Sequence, residues 1–203
     1  ARVLGEMGDS KAVEPLIEVL KHDKNGSVRL YAARALGELG DSKATVHLIE
    51  SLREDRNVDV RVRAARALGR LGGAIVVEPL VEALNDENPQ VCITATDALI
   101  EIGDVATDAL IASLDHEKVN VRCDATRALG EIGNKKAVDK VINMLYDEWV
   151  NVRIYAVTSL GKLNDKKAVP ALIDVMKNRN ENELVRAGAA AALGVLRDQR
   201  ALL

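Results

Sequence analysis

Apolar residues recur along this chain at helical spacing in two alternating kinds of segment. In the first, such as Lys11-Ala-Val-Glu-Pro-Leu-Ile-Glu-Val-Leu20, aliphatic residues three and four positions apart predict an amphipathic helix, here helix A. The second, such as Val28-Arg-Leu-Tyr-Ala-Ala-Arg-Ala-Leu-Gly-Glu-Leu-Gly40, predicts a helix B that ends on glycine. Its Leu-Gly pair returns at Leu4-Gly5, Leu36-Gly37, Leu68-Gly69, Leu129-Gly130, Leu160-Gly161 and Leu193-Gly194, with Leu99-Ile100 filling the gap. The copies stand 30 to 33 residues apart, a period that marks a stacked array of helix pairs.

Punctuation supports the same division. Asn25, Asn57, Asn88 and Asn182 lie three residues before Val28, Val60, Val91 and Val185, where a side-chain oxygen can cap helix B. Pro89 follows Asn88 at the first helical position. Pro15, Pro79 and Pro170 fall early in helix A, where a missing N–H does least harm. Gly8, Gly40, Gly72, Gly103 and Gly133 are expected to end helix B in the left-handed conformation, with Asn164 standing in for glycine once. The reading is one array over 1–203: a partial repeat at 1–8, six full repeats at 9–40, 41–72, 73–103, 104–133, 134–164 and 165–197, and a partial repeat at 198–203. Neither end carries a polar capping repeat, which predicts a segment of a longer array.

These residues resemble the HEAT-like repeats of the short type first associated with phycobilin lyases. The likeness rests on Val-Arg-x-x-Ala-Ala-x-Ala-Leu-Gly-x-Leu-Gly-Asp at 28–41, on Val60 to Gly72 and Val121 to Gly133, and on the Ala-Val-Glu-Pro-Leu opening of helix A. It implies an all-α, right-handed α-solenoid of stacked two-helix repeats, with the B helices lining its concave side. Such repeats serve as scaffolds in many unrelated proteins, so the resemblance specifies fold more than function. Cys92 replaces the recurring Arg, Ile100 the first Gly and Gly73 the Asp, and these departures predict an interruption of the regular stack near its middle.

On a helical wheel, Val28, Ala32, Ala35, Leu36 and Leu39 form the core face of the first full B helix, leaving Leu30, Tyr31, Arg34 and Glu38 outward. Followed across repeats, the Leu30 position becomes Val62, Ile93, Cys123, Ile154 and Ala187, an apolar lane that is either exposed or buried between neighbouring B helices. The Arg34 position becomes Arg66, Asp97, Arg127, Thr158 and Ala191, and the Tyr31 position becomes Arg63, Thr94, Asp124, Tyr155 and Gly188. Arg61, Arg63, Arg66 and Arg70 crowd one helix, a cluster suited to an acidic or carboxylate-bearing partner. Trp149 stands where other repeats carry the capping Asn, at a loop tip. The candidate partner-binding set is therefore Leu30, Tyr31, Arg34, Val62, Arg63, Arg66, Arg70, Ile93, Arg127, Trp149, Ile154 and Tyr155. Arg29, Arg61, Arg122, Arg153 and Arg186 recur after the Val, and Asp9, Asp41, Asp104, Asp165 and Asp198 after the B terminus; these are expected to pair in an inter-repeat ladder.

Composition narrows the function further. With no Phe, one Trp and three Tyr, the core must be aliphatic. A net charge of −3 argues against a surface made for nucleic acid or an anionic membrane, and no apolar run is long enough to span a bilayer. Cys92 and Cys123 lie one repeat apart, a helix-to-helix spacing of about 8–10 Å that is too long for a disulfide, which fits a reduced, cytoplasmic protein. His22, His47 and His116 occupy unrelated repeat positions and compose no metal set. His116-Glu117 is similar to one copy of the His-Glu motif of di-iron HEAT-repeat hydroxylases, which need several copies inside helices. No phosphate loop, nucleophile elbow or Cys-x-x-Cys is present. The chain reads as a non-catalytic, cofactor-free scaffold for a protein partner with an acidic surface. The resemblance supplies an alternative, a bilin lyase-like subunit in which Arg grips propionates and Tyr stacks on the tetrapyrrole.

Overall fold

The computed structural model describes residues 10–197. The partial repeats at 1–8 and 198–203, with Gly5, Gly8, Asp9 and Asp198, lie outside the described residues. Helices of type A and B alternate: α1 Val13–His22, α2 Gly26–Leu39, α3 Thr45–Glu54, α4 Val58–Leu71, α5 Val77–Glu82, α6 Pro89–Ile102, α7 Thr107–Ser113, α8 Val119–Ile132, α9 Val138–Asn143, α10 Val150–Leu163, α11 Val169–Lys177 and α12 Glu183–Leu196. No strand occurs among the described residues. The chain forms two compact units, one ending at Ala106 and the other beginning at Thr107. In the first, α2, α4 and α6 pack side by side and α1, α3 and α5 back them. In the second, α8, α10 and α12 pack side by side with α7, α9 and α11 behind. The unit boundary follows closely on Ile100 and Cys92, two of the three departures from the repeat.

The caps behave as their residue types dictate. The side-chain oxygens of Asn25, Asn57, Asn88 and Asn182 accept from the N–H two residues on at 2.8–2.9 Å. Asp41 and Asp165 do the same for the short 3-10 turns that precede α3 and α11. Gly40, Gly133 and Asn164 end their helices in the left-handed region, as expected. Gly72 and Gly103 differ: φ is +65° and +74°, but ψ is −165° and −136°, a region essentially confined to glycine. Asn could not substitute there.

Each core is aliphatic, with Leu36, Leu68, Leu99, Leu129, Leu160 and Leu193 buried on the B helices beside small residues such as Ala32, Ala64, Ala95, Ala125, Ala156 and Ala189. The first glycine of each Leu-Gly-x-Leu-Gly signature has a separate duty. A Cβ on Gly37 would lie 2.6 Å from Ala67 Cβ, and one on Gly69 would lie 2.8 Å from Ala98 Cβ. In the second unit, a Cβ on Gly130 would lie 2.7 Å from Ser159 Cα, and the Ser159 hydroxyl donates to the Thr126 carbonyl at 2.8 Å. These glycines let adjacent B helices touch backbone to methyl.

The arginine ladder exists at Arg29, Arg61, Arg122 and Arg153, while Arg186 donates to the Met176 carbonyl at 3.3 Å, and the acids are not the expected ones. Asp41 and Asp165 cap turns. The partners are carboxylates in the A-to-B loop of the following repeat: Arg29 grips Asp55 with two bonds of 2.7 Å, Arg61 grips Asp86 with two of 2.9 Å, Arg122 grips Asp147 at 2.7 and 3.1 Å, and Arg153 reaches Glu181 at 2.8 Å. Each of these arginines also donates to its own loop, at the carbonyl six residues earlier. The loop acid accepts in turn from the N–H of Asn57, Asn88, Trp149 or Asn182. One carboxylate thus shapes its own loop and holds the preceding repeat. Cys92, in the arginine's place, donates its thiol to the Asp86 carbonyl at 3.3 Å.

This pairing makes stability pH-dependent. Burial alone would raise the Asp55 and Asp147 carboxyls, but the hydrogen bonds from Arg29 and Arg122, the loop N–H groups and the fields of the ladder arginines outweigh it and hold both below the usual range. Glu181 is lowered in the same way, burial being outweighed by Arg153 and the Asn182 N–H. Groups depressed on folding stabilise above their unfolded pKa, and that contribution is lost as pH falls through the folded value. Urea midpoints should therefore hold from pH 7 to the ordinary carboxylate range near about 4 and then fall, with a shallower acid limb in Asp55→Asn. A midpoint unchanged down to pH 3 would contradict the ladder.

Candidate binding site on the B-helix face

Residues 63, 66 and 70 of α4 are spaced i, i+3 and i+7, so one face of that helix presents three guanidiniums. On α2, Arg34 and Glu38 stand four apart and form an ion pair, Arg34 Nε donating to Glu38 Oε1 at 2.7 Å. The two faces meet around a pocket of about 250 Å³ lined by Arg34, Gly37, Glu38, Arg63, Arg66, Ala67 and Arg70. Its floor is the Gly37–Ala67 contact, which brings α2 and α4 together without an intervening side chain. Arg66 and Arg70 are exposed and Arg63 is half-buried. Among the described residues, no hydrogen bond or ion pair engages any of these three guanidiniums.

The structure thus brings Arg34, Arg63, Arg66 and Arg70 to one place, and Tyr31, 46% exposed on α2, is not part of the lining. The apolar lane is mixed: Leu30 and Val62 are half-buried, Ile93 is 47% exposed, and Cys123 and Ile154 in the second unit are half-buried. Arg127, Trp149, Ile154 and Tyr155 belong to the second unit. There Arg127 is half-buried, Tyr155 is exposed, and Trp149 is 53% exposed at the N-cap of α10, three residues after the exposed Tyr146. Gly37, Glu38 and Ala67 were absent from the candidate set. Glu38 carried a usable signal, its i+4 spacing from Arg34, but a helix contact across repeats shows in neither helix alone.

Other chemistry is sparse. His22 and His47 line an open depression of about 270 Å³ with Arg29, Glu50, Glu54 and Asp55. No group of three or more His, Cys, Asp or Glu among the described residues could hold a metal ion. Neither Cys92 nor Cys123 is in a disulfide. Burial, with the fields of Asp124 and Asp147 acting against Arg122, pushes the Cys123 thiol up to about 11, so at neutral pH it is protonated and a poor nucleophile. No helix among the described residues is long and apolar enough to cross a membrane.

A family model for HEAT repeats matches residues 1–58, 45–119 and 138–202. The chain belongs to the HEAT-repeat family. A second model, for the PBS lyase HEAT-like repeat, matches residues 121–147, the stretch from the Val of α8 to the loop acid Asp147. No curated protein matches the chain. Among solved HEAT-like structures, the YibA protein of Escherichia coli is 26% identical with a TM-score of 0.58, covering 99% of this chain and 76% of that one. The complex of CpcE and CpcF of phycocyanin lyase from a Nostoc species is 28% identical with a TM-score of 0.51, covering 94% and 78%. Human deoxyhypusine hydroxylase, in complex with glycerol, is 24% identical with a TM-score of 0.52, covering 96% and 76%, a likeness of fold alone. As a HEAT-repeat protein, the chain devotes its recurring residues to stacking, and Arg63, Arg66 and Arg70 are set apart by making no hydrogen bond or ion pair among the described residues.

Proposed function

We propose that the chain is a non-catalytic scaffold that holds a protein partner against its B helices. The observation that carries this reading is the α2–α4 pocket, where Arg63, Arg66 and Arg70 make no hydrogen bond or ion pair among the described residues, on B helices that also carry the half-buried Leu30 and Val62 and the exposed Ile93. Arginine forks recognise carboxylates with two parallel bonds, and an adjoining apolar strip supplies area that needs no pairing, so the face suits a partner with acidic and aliphatic groups together. On the second unit, taken by itself, Arg127, Trp149, Ile154 and Tyr155 are the candidate contacts. A stacked framework presents such a face already ordered, so little conformational freedom is lost on binding. Two cysteines outside any disulfide fit action in the reducing cytoplasm.

The test compares affinity capture by the wild-type protein and by an Arg63→Glu, Arg66→Glu double variant. The wild type should retain a protein that the variant loses, with the circular dichroism of the two unchanged. Identical capture, or a parallel loss of helicity, would remove the assignment.

A second reading has one observation in its favour, the match of residues 121–147 to the PBS lyase HEAT-like repeat together with the 28% identity to the CpcE–CpcF complex of phycocyanin lyase. In it, Arg63 and Arg66 would bind the propionates of a bilin and Tyr31 would stack on its rings. Incubation with bilin would then leave visible absorbance on the protein.

A further inference from the structure

The arginines of this molecule fall into two groups. Arg29, Arg61, Arg122 and Arg153 are each matched by a carboxylate of the neighbouring loop. Arg63, Arg66 and Arg70 are not, although they share one helix face where like charges three and four positions apart repel. With Arg34 they surround one pocket in which Glu38 is the one acid among the described lining residues, and Arg34 already holds it. The floor of Gly37 and Ala67 offers a methyl group and helical backbone whose N–H groups are committed, so guanidinium forks are the donors available to a ligand. A lone carboxylate would offset one of the three unmatched charges. A phosphate monoester carries between one and two negative charges at neutral pH and three strong acceptor oxygens, and can take a fork from more than one arginine at once.

We infer that this pocket seats the phosphoryl group of a phosphorylated side chain on the protein partner. Arg63, Arg66 and Arg70 donate to its oxygens, and Arg34 forms the opposite wall. The inference rests on the partner-binding reading above and narrows it. Glu38 limits what can enter, because a polyanion laid across both helices would bring charge against its carboxylate whereas a single group can sit toward α4. Arg66 and Arg70 are exposed, so the mouth is wide and encloses little of a free anion. Affinity must come largely from whatever carries the phosphate, and Leu30 and Val62, one helical turn before Arg34 and Arg66, give it a place to rest.

The probe is a ten-residue peptide with one phosphoserine flanked by leucine and alanine, compared with its serine and glutamate counterparts and with inorganic phosphate, by calorimetric titration at constant ionic strength. The phosphopeptide should bind at least about tenfold more tightly than the glutamate peptide, and should tighten as pH rises through about 6 where the dianion forms. Arg66→Gln should weaken it about tenfold without moving the melting temperature, and Arg56→Gln, an exposed arginine outside the pocket, should not. Equal affinity for the phosphoserine and glutamate peptides, or indifference to Arg66→Gln, overturns the inference. Inorganic phosphate binding as tightly as the phosphopeptide overturns the tethered source. If the phosphopeptide fails while Arg63→Glu, Arg66→Glu still abolishes capture, the phosphoryl assignment falls and the scaffold stands. If the phosphopeptide binds while capture is unchanged, the scaffold reading falls instead.

Discussion

Replacing Gly37 with leucine is expected to destabilise the first unit by about 3 kcal/mol, a fall of roughly 15 °C in melting temperature for a unit of this size. The Cβ alone would lie 2.6 Å from Ala67 Cβ and 2.9 Å from Ala67 Cα, so α2 and α4 must separate before the rest of the side chain is accommodated. Leucine favours a helix over glycine by somewhat under about 1 kcal/mol, too little to offset that separation. The same signature position supplies the control. Gly194 in α12 has nothing within 4 Å of an added Cβ among the described residues, so Gly194→Ala should leave stability unchanged or raise it by up to about 1 kcal/mol. Thermal and urea unfolding followed by circular dichroism read both. A Gly37→Leu protein as stable as Gly194→Ala would mean that the close approach of α2 and α4 is wrong.

Arg61→Ala is expected to cost about 3 kcal/mol, because it strips a buried guanidinium from two bonds to Asp86, one to Glu87 and one to the Asp55 carbonyl and leaves the Asp86 carboxylate inside without its counter-charge. Arg61→Lys should recover little, since an ammonium cannot reproduce the fork. Pairing Arg61→Met with Asp86→Leu should recover much of the loss, as the penalty lies in the orphaned charge more than in the lost attraction. Arg70→Ala on the same helix, exposed and without a partner, should change stability by less than about 0.5 kcal/mol. Equal losses at residues 61 and 70 would erase the distinction between ladder and pocket arginines.

The helix pairs, their caps and the aliphatic core were legible because each is written locally. Asn57 and Asn88 announce a helix start by their own side chains, and Leu36 and Leu68 follow from periodicity within one helix. The arginines of α4 were found as a crowd on one helix with Arg61 among them, which the structure assigns instead to the ladder against Asp86. What escaped lies between helices. The ladder was expected because arginine recurs after the Val, yet Asp41 and Asp165 were assigned to it over Asp55, Asp86 and Asp147, which recur as regularly. Both series are periodic, and only the direction in which each arginine leans across the repeat boundary separates them. The first signature glycine was likewise unexplained, since its reason is the methyl of Ala67 or Ala98 on another helix. Gly72 and Gly103 were read as left-handed caps because sequence reports that φ is positive but not where ψ falls.

The surface of α4 is divided cleanly. Val60, Arg61, Ala64, Ala65, Ala67, Leu68 and Gly69 are buried against their neighbours, whereas Arg63, Arg66 and Arg70 make no hydrogen bond or ion pair among the described residues. Changes at those three positions would be almost silent in folding, so selection could rewrite them for whatever must be held without the architecture registering the edit. Two chains identical in every buried position could therefore differ completely in allegiance, and the physical record of that difference would be confined to a few side chains on one helix.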